Sequence, residues 1–239
     1  MIQSLRSESS QTLNRHGIFI TLEGIDGTGK TTQLRLLAKH LRRSGYAVSV
    51  TREPGGTRVG EQIRGILLAA GTGNLSPIAE LALMYAARAQ HLAEVVRPAL
   101  AQGRVVVSDR FNHASLAYQG YGRKLGLSTV RAMDRIVCGP TQPDLALVLD
   151  LAPRVALERT RRRETRRNSR RERFEAQGVK FHERVRAGYL AIARQDQRRV
   201  KVVRADRPVA EVHAEVRDLV DAFLGRRGGR KKTLGWTKE

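Results

Sequence analysis

Eight consecutive residues, Gly24-Ile25-Asp26-Gly27-Thr28-Gly29-Lys30-Thr31, satisfy the pattern G-x-x-x-x-G-K-[ST]. The chemistry this pattern serves is the holding of a nucleoside triphosphate. Glycines let the backbone curl until successive N–H groups point inward at phosphate oxygens, and a helix starting near Lys30 adds its positive dipole end. Lys30 can reach the β- and γ-phosphates, the Thr31 hydroxyl can ligate Mg²⁺, and Thr32 follows in the same first turn. Four further polar clusters stand downstream: Thr51-Arg52-Glu53-Pro54-Gly55-Gly56, Tyr85-Ala86-Ala87-Arg88, Asp109-Arg110-Phe111 and Ala117-Tyr118-Gln119-Gly120. Guanidinium and carboxylate groups so distributed suit phosphoryl transfer, which is mostly positioning and charge stabilisation.

These groups need a frame. A short β-branched and aromatic run, Gly17–Glu23, precedes the glycine-rich loop. Lys30 to Ser44 carries Leu34, Leu37, Ala38 and Leu41 at helical spacing, and Gly45 closes it. Tyr46–Thr51, Arg104–Ser108, Leu145–Leu151 and, more weakly, Val200–Arg204 read as strands; Arg104–Ser108 and Leu145–Leu151 are nearly continuous apolar runs, as suits strands buried on both faces. Helices are expected over about Thr57–Ala70 and Ile78–Ala101, the latter kinked near Pro98. The last helix carries Val209, Val212, Val216, Leu219, Val220 and Phe223 at 3-and-4 spacing. Strands alternating with helices from 17 to 224 predict one α/β domain: a parallel five-stranded sheet flanked by helices in three α/β/α layers. Ligands of such sheets bind beyond the carboxyl ends of the strands, where Glu53 and Asp109-Arg110 fall.

In this order the motifs resemble those of bacterial thymidylate kinases, P-loop nucleoside monophosphate kinases, over roughly residues 17–223. The resemblance implies phosphorylation of dTMP to dTDP with ATP and Mg²⁺, in dTTP synthesis for DNA replication. By the same resemblance Asp109 lies near Mg²⁺ and the reacting phosphates, Arg110 holds the acceptor's α-phosphate, and Glu53 sits near the metal or the acceptor sugar. Arg52 and Arg64 surround the monophosphate. Arg88, Ser115 and Gln119 read the pyrimidine edge, Tyr118 packs beside sugar or base, and Met84 stands where the family commonly stacks a phenylalanine on thymine. The variable loop positions Ile25, Asp26, Gly27 and Thr28 include no base, so the resemblance implies that arginines of a mobile lid, about 158–178, close over the triphosphate. Glu172-Arg173-Phe174-Glu175 aligns with the lid motif, which points to Arg173 first and Arg163 second. A homodimer is implied as well.

Composition bounds the rest. Hydrophobic residues make up 41% of the 239 residues and charged residues 28%, as in an ordinary globular protein, but the net charge is +21. Nine arginines and two glutamates lie between Arg159 and Arg173. Residues 1–16 read as a disordered extension and 225–239 as a basic flexible tail, the one stretch through which nucleic acid contact is conceivable. A single cysteine, Cys138, excludes an intrachain disulfide and a cysteine-built metal site. No apolar run approaches the roughly 18 residues a membrane span needs, and the opening segment has no continuous apolar stretch, so a cytoplasmic protein is expected. Two other functional readings use the same residues. One is another nucleoside monophosphate or nucleoside kinase, selected by the altered base pocket. The other is an NTP-switched nucleic-acid-binding protein, which the 5% aromatic content disfavours for single-strand stacking.

Overall fold

The computed structural model describes residues 17–69, 74–167, 174 and 177–227. Its centre is strand β1 (Ile18–Glu23), flanked in parallel by β3 (Val105–Asp109) and β4 (Leu145–Asp150). Strand β2 (Val48–Arg52) pairs with β3, and β5 (Val200–Arg204) with β4, giving the all-parallel order β2-β3-β1-β4-β5. The near-continuous apolar runs fall on the inner strands and the half-polar ones on the edges, as burial on two faces or one dictates.

Alternation along the strands splits the core in two. Ile20 and Leu22 of β1 and Val105 and Val107 of β3 face one side, with Leu34, Leu37 and Leu41 of α1 (Lys30–Arg43) and Val212, Val216 and Val220 of α9 (Val209–Arg227). Phe19 and Val106 face the other, against Leu81 and Tyr85 of α3 (Pro77–His91) and Val130 of α6 (Leu127–Val137). The three-layer expectation is met. Two more helices, α7 (Pro153–Arg167) and α8 (Val179–Gln195), precede β5, α2 (Arg58–Leu68) precedes α3, and the single turn α5 (Asn112–Ser115) follows β3.

Departures from expectation have local causes. Thr57 is not the first helical residue but the N-cap of α2, its hydroxyl accepting from the Gly60 N–H at 2.9 Å. The stretch 77–101 is helical throughout but widens into a π turn over Leu92–Val96 before α4 (Arg97–Ala101). That turn contains Glu94, whose carbonyl is the one Pro98 cannot bond and would clash with in a regular helix. Helices α6 and α8 carry no expectation from the sequence: α6 buries only Val130 fully, and the buried face of α8 mixes His182 and Gly188 with Phe181, Val185, Tyr189, Ile192 and Ala193. Helix α9 extends to Arg227, past the expected end at 224, and Arg227 pairs there with Asp144.

Two glycines of the phosphate loop differ in what holds them. Both have positive φ, 83° at Gly27 and 93° at Gly29. A Cβ on Gly27 would stand 2.1 Å from the Ala156 carbonyl oxygen of α7, whereas one on Gly29 meets nothing within 4 Å. Gly29→Ala should therefore cost only the left-handed backbone penalty, roughly 1–2 kcal/mol. Gly27→Ala should cost clearly more, because a helix carbonyl cannot step aside. Thermal denaturation of the two variants checks this, and equal losses would refute the steric account.

Candidate active site

Because every strand is parallel, the Gly24–Thr31 loop, Glu53, Asp109-Arg110 and Asp150 emerge at one end of the sheet. Register brings them abreast: Leu22 and Arg52 both pair with Asp109, the Glu53 amide donates to the Asp109 carbonyl, and the Arg110 amide donates to that of Leu22. Two cavities open there.

The larger, an open groove of about 1960 Å³, runs along the loop and is lined by Gly27, Gly29, Lys30, Thr31, Thr32 and Asp109 among others. The Lys30 ammonium donates to the Ile25 carbonyl at 2.9 Å and stands 3.9 Å from Asp26. Burial, and then the charge of Arg110, push the Lys30 pKa down to about 8 against the pull of Asp26, Asp109 and Glu23. The Thr31 hydroxyl donates to Asp109 Oδ2 at 3.1 Å. Two oxygens so placed beside a phosphate loop are the hard donors that suit Mg²⁺, which takes one or two protein ligands alongside nucleotide phosphates. Among the described residues no cluster of three or more His, Cys, Asp or Glu could hold a metal unaided.

The second cavity, about 590 Å³, is lined by Met84, Arg88, Ser115, Tyr118, Gln119 and Phe174, among others. Arg88 is buried and donates from Nε to Glu53 (2.7 Å), from Nη1 to Ser115 (3.1 Å) and from Nη2 to the Phe111 carbonyl (3.0 Å). Two of its five N–H groups remain for a ligand. Burial alone would lower its pKa; the Glu53 carboxylate more than reverses that and holds it well above the arginine norm. Gln119 donates its amide nitrogen to buried Glu80 at 2.8 Å, and Arg123 grips the same carboxylate. A carboxylate accepts and does not donate, so the amide's NH₂ must face Glu80, which leaves Gln119 Oε1 as the atom offered to the cavity.

Arg110, Asp26, Glu53 and Arg64 line both cavities. Arg110 donates to the Gly24 carbonyl (2.7 Å) and Asp26 (2.7 Å), and its guanidinium also meets the hydroxyls of Tyr118 (3.2 Å) and Tyr189 (3.3 Å). Burial would raise the Asp26 carboxyl, but Arg110 and then Lys30 outweigh it and hold it well below the usual carboxylate range. Arg110 itself sits at φ 72°, a left-handed conformation costing a non-glycine residue on the order of 1–2 kcal/mol. Such a backbone persists only where its surroundings over-determine it.

Most residues expected from the sequence converge here. Lys30, Thr31, Thr32 and Asp109 line the groove; Met84, Arg88, Ser115, Tyr118 and Gln119 line the cavity; Glu53, Arg64 and Arg110 line both. Arg52 does not reach the cavity: it projects from the edge strand into the groove and forms a two-pronged pair with Glu61 at 3.0 and 2.9 Å. Glu53, expected beside a metal or sugar, gives one oxygen to Arg88 and the other to His91 at 2.7 Å. Asp150, at the end of β4, is held by Arg186 at 2.6 and 2.8 Å. Arg163 lies on α7 with its side chain outside the described residues, and Arg173 lies outside them altogether. Sequence reasoning missed Glu80, His91, Arg123, Glu23 and Tyr189, the partners behind the expected residues. The acidic ones sit in apolar stretches, and only their burial marks them.

A parallel sheet, a phosphate loop at its carboxyl end and a polar cavity meeting that loop at an arginine define a P-loop kinase. The thymidylate kinase family model matches residues 22–216, and the chain belongs to that family. It is 50% identical over 195 residues to the thymidylate kinase of Syntrophotalea carbinolica, covering 81% of this chain and 90% of that protein. It is 47% identical over 214 residues to that of Cereibacter sphaeroides, with 90% and 99% coverage. The crystal structure of thymidylate kinase from Ehrlichia chaffeensis superposes with a TM-score of 0.68 at 31% identity, covering 86% of this chain and 98% of that one.

Glu23 yields a pH prediction. It is fully buried at the end of β1, accepting from the Phe111 N–H (2.9 Å) and the Tyr189 hydroxyl (3.2 Å). Burial raises its pKa to about 7, opposed by Arg110, Tyr189, the Phe111 amide and Arg88. A carboxyl with a raised folded-state pKa lends stability that is full below its unfolded pKa and fades as pH rises through the folded one. Between pH 4.5 and 8, Glu23→Gln should gain on the parent by up to about 3 kcal/mol. Denaturant unfolding at both pH values measures the difference, and a gap independent of pH contradicts the assignment.

Proposed function

We propose that the chain transfers the terminal phosphoryl group of ATP to dTMP, giving ADP and dTDP, with the triphosphate in the groove and the monophosphate in the cavity. The observation that carries this reading is the shared wall: Asp26, Glu53, Arg64 and Arg110 border both cavities, so a donor's last phosphate and an acceptor's phosphate would meet at Arg110. An oxygen of the acceptor phosphate forms the new P–O bond as the bond between the γ-phosphorus and its bridging oxygen breaks, and no covalent enzyme intermediate is needed. Gly24, Ile25, Asp26, Gly27, Thr28 and Gly29 form the loop around the donor phosphates. Lys30 supplies positive charge to them, and Arg110 neutralises the acceptor phosphate as the two anions approach. Thr31 and Asp109 would hold Mg²⁺, which when bound screens the donor's negative charge. Arg163 and Arg173 of the lid would close over the triphosphate and exclude water.

The base is read by complementarity. Thymine presents an N–H between two carbonyls, and Gln119 Oε1 with the two spare Arg88 N–H groups offers an acceptor beside donors. Cytosine presents an acceptor where thymine has its N–H, and so meets Gln119 oxygen to oxygen. Met84 replaces a rigid ring with a flexible thioether against the base. In this reading the enzyme works in the cytoplasm as a homodimer; no helix among the described residues is long and apolar enough to cross a membrane.

Lys30→Ala should lower kcat roughly 1,000-fold without changing the circular dichroism spectrum. The acceptor is tested by following ADP release from ATP with dTMP, dUMP, dCMP, dGMP, UMP and thymidine in parallel. Turnover should be fastest with dTMP, weaker with dUMP and negligible with dCMP; preference for another acceptor would keep the kinase chemistry and discard dTMP. Gln119→Ala should raise KM for dTMP at least tenfold while KM for ATP stays within twofold. Equal effects on both substrates would undo the base-reading role.

A further inference from the structure

Glu23 lines neither cavity, yet each of its oxygens is committed to a neighbour of Arg110. We propose that Glu23 is a positioning residue for the acceptor's phosphate, holding Arg110 through the Phe111 amide on the backbone side and through the Tyr189 hydroxyl on the guanidinium side. The proposal rests on Arg110 being the group that takes that phosphate.

Arg110 adopts its left-handed backbone between three fixed points. Its N–H donates to the Leu22 carbonyl at 2.9 Å, its carbonyl accepts from the Ser108 hydroxyl at 2.7 Å, and the next amide, of Phe111, donates to Glu23 Oε1. The first two tie the residue to β1 and β3. The third sets the direction in which the chain leaves, and with it the direction in which the side chain departs. At the far end, the Tyr189 hydroxyl donates to Glu23 Oε2 and so turns its lone pairs toward Arg110 Nη1, 3.3 Å away. Two donors therefore converge on Glu23, and a carboxylate accepts from both. An amide has one accepting oxygen and would set an N–H against either the Phe111 amide or the Tyr189 hydroxyl.

A fully buried carboxyl is costly in a position where only packing is needed. Its pKa, raised to about 7, records that cost. Glutamine would remove the charge and keep the shape, so packing alone does not call for a carboxylate here. What glutamine would lose is the simultaneous grip on both ends of Arg110.

The test is steady-state kinetics on the full chain with Glu23→Gln, Tyr189→Phe, the double variant and Arg110→Ala, using ATP and dTMP at pH 7.5. Glu23→Gln should raise KM for dTMP tenfold or more and leave KM for ATP within twofold, with a melting temperature at or above that of the parent. Tyr189→Phe, which cuts one arm, should raise it about threefold, and the double variant should be no worse than Glu23→Gln alone because both act along one chain of contacts. An unchanged KM for dTMP in Glu23→Gln, or equal increases for both substrates, overturns the positioning role. So do single-variant effects that multiply in the double. Should Glu23→Gln fail to fold, Tyr189→Phe decides alone: a rise confined to dTMP supports the proposal, and no rise overturns it. If Arg110→Ala itself leaves KM for dTMP unchanged, the reading of the acceptor site falls and this proposal with it. If Arg110→Ala raises it and Glu23→Gln does not, only the positioning role falls.

Discussion

The guanidinium of Arg110 is where the loop and the cavity become one site. Its Nη1 bonds the Gly24 carbonyl at the start of the phosphate loop and meets the Tyr189 hydroxyl, and its Nη2 bonds the Asp26 carboxylate within the loop and meets the Tyr118 hydroxyl of the cavity wall. A single planar, permanently charged group thus spans the line along which a phosphoryl group would travel. Its own backbone is strained at φ 72°, and the strands on either side supply the hydrogen bonds that hold it there. The sheet's register has a chemical purpose at this point, because a one-residue slip of β3 against β1 would turn Arg110 to the opposite face.

Around that junction the buried charges occur in matched sets. Arg88 pairs with Glu53, which His91 and then Thr51 back in turn, at 2.7 and 2.6 Å. Glu80 is matched by Arg123 and Gln119. Such pairs add little net stability, since desolvation of both partners consumes most of their attraction. They fix direction: each functional group has one polar neighbour it must face, and the atoms left over point into the cavity. Specificity for a base edge needs this, because an amide or guanidinium free to rotate would accept several hydrogen-bond patterns.

The fold was legible in the sequence because its signals are local. A β-branched and aromatic run marked β1, nearly continuous apolar runs marked β3 and β4, 3-and-4 spacing marked α1 and α9, and the glycine-rich loop between the first strand and helix located the site. Helix α6 escaped because its apolar face is narrow, and α8 because its buried stripe includes His182 and Gly188 and follows directly on the arginine-rich stretch. Of the site, the groups that line the cavities were legible from motif spacing, and the groups behind them were not. Glu23, Glu80 and His91 each lie far along the chain from the partner that gives them meaning, at separations of 88, 39 and 38 residues. Arg52 shows the converse: its motif placed it near the monophosphate, yet its position on the edge strand turns it toward Glu61.

The order in which the sheet is assembled differs from the order in which it is made. Strand β1 leaves the ribosome first and occupies the middle, but its two neighbours begin only at Val105 and Leu145. The helix behind the loop, α1, keeps Leu34, Leu37 and Leu41 without their full cover until α9 is synthesised, 176 residues later by its Gln33–Val209 contact. Until β4 is made the nascent chain therefore carries a central strand not yet paired on both edges, and for longer still an apolar helix face without its full cover, surfaces that invite association. The arginine-dense stretch before β5 is made in that interval, and a run of like charges opposes self-association of a chain whose core is still open.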